Sequence, residues 1–198
     1  SSSHRRPAFW NFTLTGRAVA VEYLMRCLLR DIYAGDDDAA VQTLVSTIAS
    51  SIMEASHQAH RDYLKLLEEC AGALSTCLSS SVLARKMMVS SSTALTLDKL
   101  QELALSANSS KARRLLAESW CSLYKDPSIW ESENILSTHV QNAFQACQLV
   151  FDGNGSTIAK KHGAAFLAGA AIQVYRRHTF LQVVDSLSLV IPRTVDPV

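Results

Sequence analysis

No proline interrupts the chain between Pro7 and Pro127. Proline lacks a backbone donor and clashes with the preceding helical turn, so its absence over such a stretch leaves long helices free to form. Apolar residues recur there at three- and four-residue intervals, and strand-type alternation is almost absent. The sequence therefore predicts an all-α protein. Its 198 residues suffice for one sizeable domain or an elongated repeat array. With 48% hydrophobic and 19% charged residues, the composition is that of a folded chain rather than a disordered one.

The same periodicity sets the expected elements. A first helix is expected from Gly16 to Ala34, on an apolar face that includes Val19, Tyr23, Cys27, Leu28 and Ile32. Gly35 suits its C-terminal end, because glycine tolerates the left-handed conformation. Asp36, Asp37 and Asp38 then favour the start of a second helix, Asp38 to Ser56, carried by Val41, Leu44, Val45, Ile48 and Ile52. From His57 to Ser80 the pattern continues and leaves open whether a break falls near His57. A short helix over Val82–Val89 follows, and Thr96 offers an N-cap to Leu97–Ala107. Later helices are expected at Asn134–Phe151, Ser156–Arg177 and Phe180–Val190, for about eight in all. Residues 1–15 read as an extended arm, 16–190 as a single helical domain and 191–198 as a tail. The serine start and the TVDPV end suggest a segment of a longer protein.

Two stretches share one plan. Leu97–Asp126 and His139–Tyr175 each carry an apolar-striped helix, a short Asn/Ser/Gly turn, a basic doublet and an Ala/Leu-rich helix. One constant offset carries Leu97 onto Phe144, Leu103 onto Val150, Ala112 onto Ala159, Ala117 onto Ala164 and Trp120 onto Leu167. It also carries Arg113–Arg114 onto Lys160–Lys161. An offset of that size lies within the roughly 40–47 residues of HEAT and armadillo units. The chain resembles such an array over residues 16–190, most clearly in its C-terminal half. The resemblance implies stacked antiparallel helix pairs that serve as a binding scaffold rather than an enzyme. An irregular helical bundle is the alternative, because residues 57–92 do not divide into such units.

Net charge is +1, so no global field draws the chain to nucleic acid or membrane. Local charge is more informative. In a stack, Arg113, Arg114, Lys160 and Lys161 are expected to align into a basic ridge, extended by Arg176 and Arg177. Such a ridge suits an acidic peptide or helix and, as a second choice, a phosphate backbone. The aromatic knot of Phe9, Trp10 and Phe12 reads either as a cap on the domain or as a docking segment. The expected function is thus a non-enzymatic protein-interaction scaffold or adaptor that binds a partner helix or peptide on one face. The alternative is a helical nucleic-acid-binding domain that uses the basic ridge.

Chemistry-bearing patterns are weak. Glu54-x-x-His57 is half of a bundle di-metal site, but no second such pair exists in the chain, and a polar helix end explains Glu54, His57 and His60 better. The turn Asp152–Ser156 precedes Lys160 and Lys161 but lacks the spacing and the buried strand of a phosphate loop. No nucleophile elbow occurs. No metal, cofactor or catalytic residue is expected. Cys27, Cys70, Cys77, Cys121 and Cys147 are odd in number and widely spaced, which argues against a disulfide framework and for a reducing compartment, cytoplasm or nucleus. The longest apolar stretch, Gly163 to Tyr175, is too short to span a bilayer, so no membrane association is expected.

Overall fold

The computed structural model describes residues 16, 20, 38–90, 94–126, 129–130 and 133–190. Among these residues the chain forms seven helices and no strand, so the protein is all-α. The helices are α1 (Asp38–Ala55), α2 (Arg61–Ser80), α3 (Val82–Val89), α4 (Leu97–Ser106), α5 (Ser110–Leu123), α6 (Glu133–Asp152) and α7 (Ile158–Val190). Gly16 and Ala20 are helical as well. The rest of the helix expected from Gly16 to Ala34 lies outside the described residues, as do Phe9, Trp10 and Phe12.

Side-chain caps set most of the boundaries. The chain does break near His57: Ser56 Oγ donates to the Met53 carbonyl (3.1 Å) at the end of α1. His60 then caps α2, its Nδ1 accepting the Asp62 N–H at 3.4 Å. Ser81 serves two helices. Its own N–H closes α2 on the Cys77 carbonyl (2.9 Å), and its hydroxyl accepts the Ala84 N–H to open α3 (3.2 Å). Thr96 and Ser109 open α4 and α5 in the same way, accepting from Lys99 and Ala112. Each such cap satisfies one amide that the first helical turn leaves unpaired.

One expected boundary is absent. A break between Arg177 and Phe180 was expected, yet α7 runs without interruption from Ile158 to Val190. No proline or glycine lies at that point, and Thr179 does not cap a new helix. Its hydroxyl donates instead to the Tyr175 carbonyl one turn back (3.0 Å), a bond a helix interior accommodates.

The helices are ordered around α5. This helix packs on α2, α4 and α7, with α3 against it as well, and α1 lies on the far side of α2. Its burial matches that central position: only Ser110, Lys111, Arg114 and Glu118 are exposed along its length. Trp120 fills the middle of the core, fully enclosed with Leu116, Leu100, Leu103, Leu74 and Leu78. Beyond α5 lies α7, which packs on both α4 and α5, and α6 packs on α7. Cys121 on α5 meets Gln173 on α7 (3.7 Å), while the start of α7 meets the end of α4, so α5 and α7 run in the same direction.

That α4–α7 crossing depends on one residue. A Cβ on Gly163 would stand 2.5 Å from the Leu105 carbonyl oxygen and 2.6 Å from that of Ala104. Both are backbone atoms and cannot swing aside. Glycine at this position is what lets the two helices meet so closely.

Candidate functional site

The basic doublets divide sharply by environment. Arg113 is only 4% exposed, and its Nη1 donates to the carbonyl of Ala107, the residue that ends α4. It is therefore a structural residue of the core and not a member of any surface ridge. Burial also lowers its guanidinium pKa below the usual value, in keeping with its dry setting. Arg114, the next residue, is exposed and ion-paired one turn on with Glu118 (2.8 Å).

A recurring motif that sequence reasoning missed explains Arg113. Ser81-Val-Leu-Ala84-Arg85 and Ser109-Ser-Lys-Ala112-Arg113 share the pattern Ser-x-x-Ala-Arg. In both, the serine caps a helix, the alanine amide bonds that serine, and the arginine is buried. In both, the arginine reaches back to a carbonyl at the end of the preceding helix. Arg85 Nη1 donates to Leu78 at 2.7 Å, as Arg113 does to Ala107. Each arginine thus satisfies one of the acceptors a helix C-terminus leaves unpaired.

The second doublet has no such role. Thr157 Oγ1 accepts the Lys160 N–H (3.3 Å), so the position equivalent to Arg113, counted from the cap, is Lys161 rather than Lys160. Lys160 and Lys161 are both exposed, as are Arg176 and Arg177 further along α7. The two pairs stand roughly 24 Å apart along the helix at 1.5 Å per residue. Arg177 approaches α5 closely enough to depress the Lys125 ammonium, after burial the next cause of that shift. The six expected cations therefore do not form one ridge: one is buried, one is paired on α5, and four lie in two groups on α7.

The same last pair of helices carries an apolar surface. All the large apolar side chains exposed among the described residues, Val82 excepted, lie on α6 and α7. They are Ile135, Phe144, Leu149 and Phe151 on α6, and Ile158, Ile172 and Tyr175 on α7. Exposure reaches 77% at Ile158, 74% at Leu149 and 60% at Tyr175. The opposite face of α6, with Leu136, Val140, Ala143 and Cys147, is buried. α6 thus exposes apolar side chains on both flanks of its buried stripe, Phe144 and Phe151 on one and Ile135 and Leu149 on the other. A concentration of this kind marks an interaction surface more often than chance scatter does.

Aromatic side chains brace the approach to α6. Tyr124 stacks on Trp130 with ring centroids 4.4 Å apart and touches Trp120 at 4.7 Å. Trp130 Nε1 donates to the Leu123 carbonyl (3.1 Å), closing the end of α5. His139 on α6 completes the cluster, 5.8 Å from Trp130. The cluster ties α6 to the end of α5, which otherwise meets it through α7.

Cys70, Cys77, Cys121 and Cys147 are free and buried. Burial pushes the Cys70 thiol up to about 12, and those of Cys77 and Cys147 to about 11. A thiol held protonated in this way is a small hydrophobe rather than a nucleophile. Among the described residues no cluster of His, Cys, Asp and Glu could hold a metal ion. Glu54, His57 and His60 are exposed at the α1–α2 junction, where His60 serves as a cap. No helix among the described residues is long and apolar enough to cross a membrane. No family model, curated protein or solved structure matches the chain.

Proposed function

We propose that the chain is a non-enzymatic docking scaffold whose binding surface is the outward face of α6 and α7. One observation carries this reading: of the exposed large apolar residues among those described, all but Val82 gather on one helix pair. Fully burying such a side chain is worth roughly 1.5–3 kcal/mol, and at 37–77% exposure these leave a part of that for a partner to recover. An adaptor that holds a partner helix or peptide fits this surface best.

A HEAT- or armadillo-type stack is the architecture we propose for it. The parallel course of α5 and α7 supports that. The contact of α7 with α4 as well as α5 is a departure toward a bundle. An intracellular adaptor would also suit the four buried, unpaired thiols.

The test is quantitative affinity capture with the whole chain, an Ile172→Asp variant and a Gln42→Asp control on the exposed side of α1. The reading expects a partner retained by the native chain and the control and lost with Ile172→Asp, at unchanged thermal stability. Identical captured sets from all three proteins would refute it.

A further inference from the structure

We infer that the occupant of this face is an amphipathic helix of a partner protein, bearing acidic residues on either side of its apolar stripe. The inference rests on the docking reading above and specifies the partner's chemistry.

Shape comes first. Phe144 and Phe151 lie two turns apart and so share one side of α6, directly beside the stripe that α7 covers. On α7, Ala165, Ile172 and Tyr175 are exposed at helical spacing, with half-buried Ala168 at their edge where α6 begins to cover the helix. Cys147 lies within hydrogen-bonding reach of the Ala168 backbone, which sets the level at which the two helices meet. Phe144 and Phe151 therefore border the same α6–α7 seam as Ala168 and Ile172. Aromatic side chains on one helix and alanines on the other leave room for a third helix to lie along the seam. This is the helix-in-groove mode, which reads apolar anchors at i, i+3, i+4 and i+7.

Charge identifies the helix. From Ile158 to Thr179, α7 carries Lys160, Lys161, Arg176 and Arg177 and no aspartate or glutamate. α6 has no acidic residue between Asn134 and Phe151. On α4 and α5 the cations that reach solvent have carboxylate partners, Lys99 with Glu102, Lys111 with Glu68 and Arg114 with Glu118. Arg61, Lys65 and Lys86 are exposed cations elsewhere, so what sets α7 apart is the grouping of its cations on a segment without carboxylates. Among the described residues no carboxylate pairs with any of the four cations on α7. Lys161 and Arg176 bracket the apolar stretch about 22 Å apart, a span of roughly four helical turns. A partner helix of that length with carboxylates toward its two ends would neutralise both groups while burying its apolar stripe between them. Complementarity of this kind sets orientation and encounter rate. A phosphate backbone would engage the two cationic ends but would gain nothing from Ile172 and Tyr175 between them.

The test is selection of helical peptides of about 18 residues, roughly five turns, from a randomised display library against the whole chain. Affinities of the selected peptides are then measured by fluorescence anisotropy. Two variants accompany the native chain: Lys161→Glu with Arg176→Glu, and Phe144→Asp with Ile172→Asp. Circular dichroism melting checks that each folds, and Lys161→Gln with Arg176→Gln replaces the first if it does not.

The inference expects selected peptides to carry Glu or Asp flanking an apolar stripe. It also expects their affinity to fall about tenfold or more on charge reversal and to be lost in the Phe144/Ile172 variant. Peptides that need Phe144 and Ile172 but show no acidic bias and ignore the charge reversal would overturn the partner chemistry and leave the docking reading intact. Peptides indifferent to Phe144 and Ile172 would overturn both. Displacement of the selected peptides by a single-stranded RNA oligonucleotide, with the steep salt dependence of phosphate contacts, would assign the face to nucleic acid instead.

Discussion

In the α4–α5 pair, Arg113 is buried against the Ala107 carbonyl, and half-buried Lys99 and exposed Lys111 and Arg114 each face a carboxylate. In the α6–α7 pair, Lys160, Lys161, Arg176 and Arg177 stand in solvent beside exposed Phe144, Ile172 and Tyr175. The two pairs share a plan of helix, polar turn, basic doublet and Ala/Leu-rich helix. Their difference is one of position. α5 is enclosed by helices on most sides, so its second-turn cation must find a buried acceptor. Among the described residues α6 packs chiefly on α7, and Ile135, Phe144, Leu149 and Phe151 stay exposed. A repeated sequence plan thus specifies helix geometry, and neighbours decide whether each position becomes core, cap or contact surface.

That contrast can be broken at several points. Gly163→Ala is the most severe expected change, because its Cβ would meet two backbone oxygens. We expect a loss of about 3 kcal/mol in chemical denaturation. Gly169→Ala, on the same helix with nothing within 4 Å of its Cβ, should gain about 0.5–1 kcal/mol. Equal effects at the two glycines would contradict the close α4–α7 approach.

Arg113→Ala comes next. It leaves the Ala107 carbonyl without its side-chain donor and should cost about 1–3 kcal/mol. Lys161→Ala, at the cap-equivalent position on α7, should stay within about 0.5 kcal/mol. Similar losses at both sites would mean that the second doublet is structural too.

Alkaline titration probes the core itself. Cys70 and Cys77 ionise near 12 and 11 in the folded chain because burial disfavours the thiolate. The unfolded thiols ionise at about 8.5. The raised folded values mean that this contribution is complete below the unfolded pKa and is lost as pH rises toward 11–12. Stability should therefore fall above pH 9 by about 1.4 kcal/mol per pH unit for each such thiol. Cys77→Ala should flatten that slope, and a slope unchanged by the substitution would argue against the assignment.

Smaller losses are expected at the caps. Ser81→Ala and Ser109→Ala should each cost about 1 kcal/mol. Ser109 should cost the more of the two, since its hydroxyl also donates to Glu68.

Much of the helical layout was legible in sequence. Val82–Val89 and the Thr96 cap were read as they occur, because serine and threonine at helix starts act through local bonds to nearby amides. α1 and α6 were read to within a residue at each end from their apolar periodicity. The continuity of α7 past Arg177 was not read, since Thr179 can either cap a helix or bond back into one. Nor was the burial of Arg113. Nothing in a single doublet reports what lies across the turn, although the repeated Ser-x-x-Ala-Arg at Ser81 and Ser109 was a signal that could have suggested it. The apolar face of α6 and α7 was legible as apolar residues but not as surface, because exposure depends on which neighbours are present. The offset drawn between the doublets was one residue short, since the cap at Thr157 and not the charge pair sets the register.

Chemical unfolding of an Ile158→Ser/Tyr175→Ser variant, at side chains 77% and 60% exposed, tests most directly whether the outer face of α6 and α7 is free in the folded chain. If those side chains await a partner, the variant should unfold within about 1 kcal/mol of the native chain with an unchanged denaturant slope. A loss comparable to that of removing a core aromatic, about 3–5 kcal/mol as expected for Trp120→Ala, would show that the face is already packed and would contradict the account.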